Sequence, residues 1–67
     1  MSTKPDYKIT LKRLDELTRF LKVYGTIEEV VDRSDPYNRV MIYFISYRGA
    51  CFRITEVDGD PLLMDQL

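Results

Sequence analysis

Histidine does not occur in the chain, and cysteine occurs once, at position 51. With a single cysteine no intramolecular disulfide can form, and without histidine a Cys/His zinc site cannot be assembled. The side chain that most readily acts as a base near neutral pH is missing as well. Glycine is equally sparse: Gly25, Gly49 and Gly59 stand too far apart to form a phosphate-cradling loop or a dinucleotide fingerprint. Long apolar runs are absent. The longest, Val40 to Ile45, is six residues and far too short to span a bilayer, and no apolar leader follows Met1. The expectation on these grounds is a cytoplasmic protein in a reducing compartment.

At 67 residues the chain makes one domain at most. A chain of this size hides only about 60% of the surface its unfolded form exposes. A single core at this size rarely supplies more than roughly 3–5 kcal/mol, so small folds lean on disulfides, metals or self-association. The first two being excluded, self-association is the expected support. An apolar fraction of 45% beside a charged fraction of 31% describes a folded protein, not a disordered one. Net charge is near zero, yet unevenly placed. Residues 1–25 carry six basic groups against three acidic ones, and residues 26–67 carry four against eight. Such asymmetry either steers a partner or holds the two halves together.

Along the chain, residues 1–9 contain Pro5 and few apolar groups and read as a loose arm. A helix is expected over about 10–24, with Thr10 as N-cap and Ile9 and Leu14 as a hydrophobic staple. Leu11, Leu14, Leu17, Leu21 and Tyr24 recur at helical spacing, widened by Phe20, while Lys12–Glu16 and Asp15–Arg19 form i,i+4 pairs. Gly25 suits the left-handed position that closes a helix.

The stretch Gly25-Thr-Ile-Glu-Glu-Val-Val-Asp-Arg-Ser-Asp-Pro36 is ambiguous. Thr26-Ile27-Glu28-Glu29 matches a capping box, but four of the six residues 26–31 are β-branched and favour a strand. A β-bulge at Glu28-Glu29 would restore the broken alternation. The uncharged segment Val40–Ile45 favours the strand, because at a sheet edge it would be an aggregation hazard and it therefore needs a strand on each side, with a short second helix ending before Asp35-Pro36 as the rival reading. Residues 50–57 return through a tight turn as one neighbour; the other is residues 26–32, the C-terminal segment or a second subunit, and residues 26–32 are preferred because they are adjacent in sequence and Asp35-Pro36 can begin the connecting turn. Asp58-Gly59 signals a further hairpin, after which Pro61 limits residues 61–64 to a short edge strand or a docked tail.

The expected fold is α+β: a helix over about 10–24 packed on an antiparallel meander of three to four strands, at about 26–32, 39–47 and 50–57, with 61–64 as the fourth. Two registers are open for the central hairpin. A turn at Gly49-Ala50 puts Tyr43, Ile45 and Tyr47 with Phe52 and Ile54, and Val40, Ile42 and Phe44 with Cys51, Arg53 and Val57. A three-residue loop at Tyr47-Arg48-Gly49 joins Ile42 and Phe44 to Phe52 and Ile54 instead. Both registers leave apolar groups on both faces, and one helix covers one face, so the second face is expected to meet another protein surface, the alternative being that loops and the C-terminal Leu62, Leu63 and Met64 fold over it.

Catalysis is not expected. Cys51 lies mid-strand without a histidine partner, which suits a small core hydrophobe better than a nucleophile, and Asp58 and Asp60 are turn residues without calcium-loop spacing. No residues suggest a metal, a cofactor or a small-molecule ligand. The chain reads as a small non-catalytic protein-interaction module, either a homodimer or a subunit or inhibitor docking on a larger protein. Candidate partner-binding residues are Tyr43, Tyr47 and Arg53 as aromatic and arginine anchors, with Glu28 and Glu29 as an acidic rim. The alternative is nucleic-acid binding through Tyr37, Tyr43, Tyr47 and Phe52 interleaved with Arg39, Arg48 and Arg53. The acidic second half and a pI near 5.2 weigh against it.

Overall fold

The computed structural model describes residues 7–67, with side chains from residue 13 onward; of the expected arm, residues 1–6 lie outside the described residues. One helix, α1 (Tyr7–Tyr24), precedes four strands, β1 (Thr26–Asp32), β2 (Val40–Tyr47), β3 (Ala50–Val57) and β4 (Asp60–Gln66). The strands form one antiparallel sheet in chain order, β1-β2-β3-β4. This is the expected α+β helix-on-meander, with the fourth strand present and longer than residues 61–64.

The apolar segment of β2 lies between two strands, as its composition demands. Residues 26–32 are a strand and not a short helix, so tertiary pairing overrides the capping-box match. Ile27 opposes Ile45 and Glu29 opposes Phe44, leaving Glu28 as the extra residue of a bulge. That bulge lets one strand carry both Ile27 and Val30 on the same face.

The central turn differs from both expected registers. Tyr47 pairs with Ala50, so the loop is Arg48-Gly49, with φ of 49° and 79°. Positive φ at both positions makes a type I′ turn, whose twist matches that of the flanking strands. The register is shifted by two residues from the Gly49-Ala50 alternative and therefore sorts the faces as that alternative does. Asp58-Gly59 forms the second such turn, with φ of 52° and 89°. In β4, Leu63 opposes Thr55 and Pro61 opposes Glu56, so Leu62 is bulged out, and Pro61 is tolerated because β4 is an outer strand.

Short polar side chains hold the 33–39 connection. Asp32 Oδ1 accepts from Ser34 N at 2.8 Å, Asp35 Oδ1 accepts from Tyr37 N and Asn38 N at 2.7 Å each, and Ser34 Oγ accepts from Val40 N at 2.9 Å. Asp58 Oδ1 accepts from Arg39 N at 2.9 Å and so ties this loop to the β3–β4 turn.

The core is Leu21, Ile45 and Ile54, supported by Tyr43, Tyr47, Phe52 and Met64. The helix packs chiefly on β4 and β2. Its buried line is Thr18 and Leu21, with Leu14 half-buried, whereas Leu17, Phe20 and Tyr24 from the expected stripe are exposed on its flank. Two further expectations for the helix need correction. Thr10 lies inside the helix, which starts three residues earlier at Tyr7, and so is not its N-cap; the side chains of Ile9, Leu11 and Lys12 lie outside the described residues. Gly25 is not in the left-handed region. Its N–H continues the helical pattern to Leu21 O at 2.8 Å, and glycine is needed for space: a Cβ would lie 2.6 Å from Ile45 Cγ2. The Asp15–Arg19 pair is present at 2.6 Å.

Candidate functional site

The molecule is 19 Å through its thinnest dimension. A helix with its side chains is about 10 Å thick and a packed sheet layer adds about 10 Å, so two layers account for it. No described element covers the sheet face away from α1. Strand alternation and register assign that face directly. Its rows, read from β1 to β4, are Val31–Ile42–Thr55–Leu63 and Glu29–Phe44–Arg53–Asp65, with Val40–Val57 above them and Ser46–Cys51 below. The centre is therefore apolar, and none of these residues reaches the zero exposure of Ile45 and Ile54 on the opposite face. Leu63 is half-exposed.

Charge frames this apolar centre. Arg53 Nη2 donates to Asp65 Oδ2 at 2.8 Å across the β3–β4 pair. On the other side the bulge brings two acids to the same edge: Ser46 Oγ donates to Glu28 Oε2 at 2.7 Å, and Glu29 stands beside Phe44. Both outer strands are poor templates for pairing. β1 carries Glu28, Glu29, Asp32 and a bulge; β4 carries Asp60, Pro61, Asp65 and a bulge. These are the usual guards against edge-to-edge association.

The five residues chosen from sequence do not converge on one surface. Arg53, Glu28 and Glu29 belong to the uncovered face and its rim. Tyr43 and Tyr47 belong to the helix-covered face, where both pack on the core. Lys22 Nζ sits 4.4 Å from the centroid of the Tyr43 ring, and Phe20 meets Tyr47 edge-on at 5.2 Å. The aromatic–arginine set of the nucleic-acid reading is divided in the same way, since Tyr43, Tyr47 and Phe52 lie under the helix while Arg53 is on the far face and already paired.

Sequence reasoning missed the ion pair of the covered face. Glu56 is 6% exposed and accepts from Lys22 Nζ at 2.5 Å. The signal was available, because Glu56 follows Phe52 and Ile54 on the core-facing alternation of β3. Beside it, Arg39, Met41, Tyr43, Glu56, Asp58 and Gly59 line an open cavity of about 470 Å³. Lys22 pairs with the buried carboxylate of that cavity. Among the described residues, Asp32 is the group whose titration is displaced: its hydrogen bonds from Ser34 hold its carboxyl below the ordinary 3.8. This is a loop-ordering effect at an exposed position.

Fold and surface together define a two-layer α+β protein with one uncovered sheet face. Among the described residues no helix is long and apolar enough to cross a membrane. Comparison of the chain with protein-family models, curated proteins and solved structures finds no match.

Proposed function

We propose that the protein is a non-catalytic interaction module whose uncovered sheet face is its protein-contact surface. The observation that carries this reading is the pattern of that face: an apolar centre of Val31, Ile42, Phe44, Val40 and Val57 inside a charged frame of Glu28, Glu29, Arg53 and Asp65. An apolar core within a polar rim is the usual anatomy of a protein–protein interface. Arg53 and Phe44 are neighbours across the β2–β3 pair and form the natural anchor, since aromatic and arginine side chains dominate interface energetics. Nucleic acid is disfavoured by the acids at both sheet edges, which would face phosphates.

The test is affinity capture from source lysate with the intact chain, Ile42→Lys on the uncovered face and Val23→Lys on the exposed outer side of α1, each with and without nuclease. Nuclease-resistant protein retained by wild type and Val23→Lys but lost with Ile42→Lys supports the reading. Capture indifferent to Ile42, or recovery of nuclease-sensitive material alone, contradicts it.

A further inference from the structure

We infer that the occupant of the uncovered face is a second copy of this chain, docked sheet to sheet about a two-fold axis that runs parallel to the strands. The inference rests on reading that face as a protein-contact surface. A two-fold lying in the interface and parallel to the strands places β1 over the second copy's β4 and β2 over its β3. Applied to the observed rows, it sets Val31 over Leu63, Ile42 over Thr55 and Val40 over Val57 of the second copy, each pair occurring twice. In the charged row it sets Arg53 over the second copy's Phe44, a cation–π geometry. Arg53 uses one Nη atom for Asp65 and retains donors for the second copy's Glu29, which stands next to that Phe44. The same operation sets Glu29 over the second copy's Asp65, and Arg53, beside its own Asp65 and diagonal to the second copy's Glu29, is the cation that offsets both acids, while the Val31–Leu63 and Val40–Val57 pairs are apolar on both sides.

A two-fold perpendicular to the strands and centred on the Ile42 row does worse. It lays Arg53 on Val57 of the second copy, beside that copy's Asp60 but with no aromatic ring to stack on, and it sets Asp65 on the second copy's Asp60.

The outer strands oppose self-association edge to edge. Meeting through β1 or β4 would oppose acids to acids across bulged strands.

The area is sufficient but small. Four strands at about 4.8 Å spacing and about seven residues at 3.3 Å give a face of roughly 19 by 23 Å. Two such faces remove on the order of 1,000 Å² from water, the lower bound for a specific interface. The dimer is therefore expected to dissociate in the micromolar range.

Sedimentation equilibrium from roughly 1 to 200 µM brackets such an affinity. Circular dichroism on every variant confirms the fold. Wild type is expected to pass from monomer to dimer across this range. Ile42→Lys is expected to weaken association at least tenfold, and Leu63→Glu, at a half-exposed position on the outer strand with little consequence for folding, to do the same. Arg53→Glu should dissociate the dimer, and adding Glu29→Arg to it should restore association by exchanging the charges across the interface. A wild type that stays monomeric throughout overturns the self-association. If Ile42→Lys also abolishes lysate capture in that case, the contact surface stands and only its occupant was misassigned. A dimer untouched by Ile42→Lys and Leu63→Glu but broken by Val23→Lys overturns both.

Discussion

Replacing Gly25 by alanine tests the joint between helix and sheet. The added Cβ would stand 2.6 Å from Ile45 Cγ2, 2.7 Å from Leu21 O and 3.0 Å from Ser46 O. Carbon atoms in contact sit at about 3.5–4.0 Å, so the overlap with Ile45 is about 1 Å. Two of the three opposing atoms are backbone oxygens, and Ile45 is fully buried between Leu21 and Ile54, so nothing can rotate aside cheaply. Overpacking of this kind costs roughly 1–3 kcal/mol, and alanine returns about 0.4–1 kcal/mol by restricting the unfolded chain. An overlap of about 1 Å against atoms that cannot move aside belongs in the upper half of that cost, about 2–3 kcal/mol, so the net loss is about 1–2 kcal/mol, a large part of a core that supplies at most roughly 3–5 kcal/mol. An unfolding entropy near 2.1 cal/mol/K per residue, over 67 residues, converts it to a fall in Tm of roughly 7–15 °C. Thermal melts of Gly25→Ala, Ile45→Leu and the double variant measure this, because leucine lacks the β-branched methyl and should reduce the penalty. A Tm within about 2 °C of wild type for Gly25→Ala would refute the steric argument, since net losses of about 1 kcal/mol or more move it further.

Thr18 Oγ1 is buried without a hydrogen-bond partner, so Thr18→Val should raise stability by up to about 1 kcal/mol, read as a higher Tm. Lys22→Met removes the cation from the 6%-exposed Glu56 and from the Tyr43 ring; a loss of about 2 kcal/mol is expected in urea unfolding, moderated because Lys22 is partly exposed. Asp32 is held below its ordinary 3.8 by the hydrogen bonds from Ser34. The folded state therefore binds its proton less readily than the unfolded state, so its stabilisation is present above 3.8 and is lost as pH falls through the lower folded value. Asp32→Asn should flatten that segment of the stability–pH curve, measured by urea melts at closely spaced acidic pH values.

Much of the architecture was legible because strong local signals and a tertiary requirement agreed. Val40–Ile45 carries no charge and so demanded two neighbours, which turned residues 26–32 into a strand despite their capping box, and the broken alternation at Glu28-Glu29 marked the bulge. Asp58-Gly59 announced its turn because both residue types tolerate positive φ. Arg48-Gly49 was harder, since arginine gives no such announcement and the left-handed conformation at Arg48 is imposed by strand twist. The surface was legible only in part. Arg53, Glu28 and Glu29 fall on the uncovered face, but Tyr43 and Tyr47 follow the alternation that carries Ile45 into the core. Their roles as ring partners for Lys22 and Phe20 depend on where the helix crosses the sheet, which no local pattern encodes. The exposed Leu17, Phe20 and Tyr24 have the same origin, for the helix rests on its Thr18–Leu21 line and not on the middle of its apolar stripe.

The central claim, that the uncovered face is covered by a second copy, is tested most directly by isotope-filtered NOE spectroscopy on a mixture of labelled and unlabelled chains at high concentration. Val31 and Leu63 end the same row on opposite edges, three strand spacings or roughly 14 Å apart within one chain. An intermolecular NOE between their methyl groups is the predicted result. Its absence in a sample shown to be dimeric, or intermolecular NOEs from Val23 and Tyr24 in its place, would contradict the account.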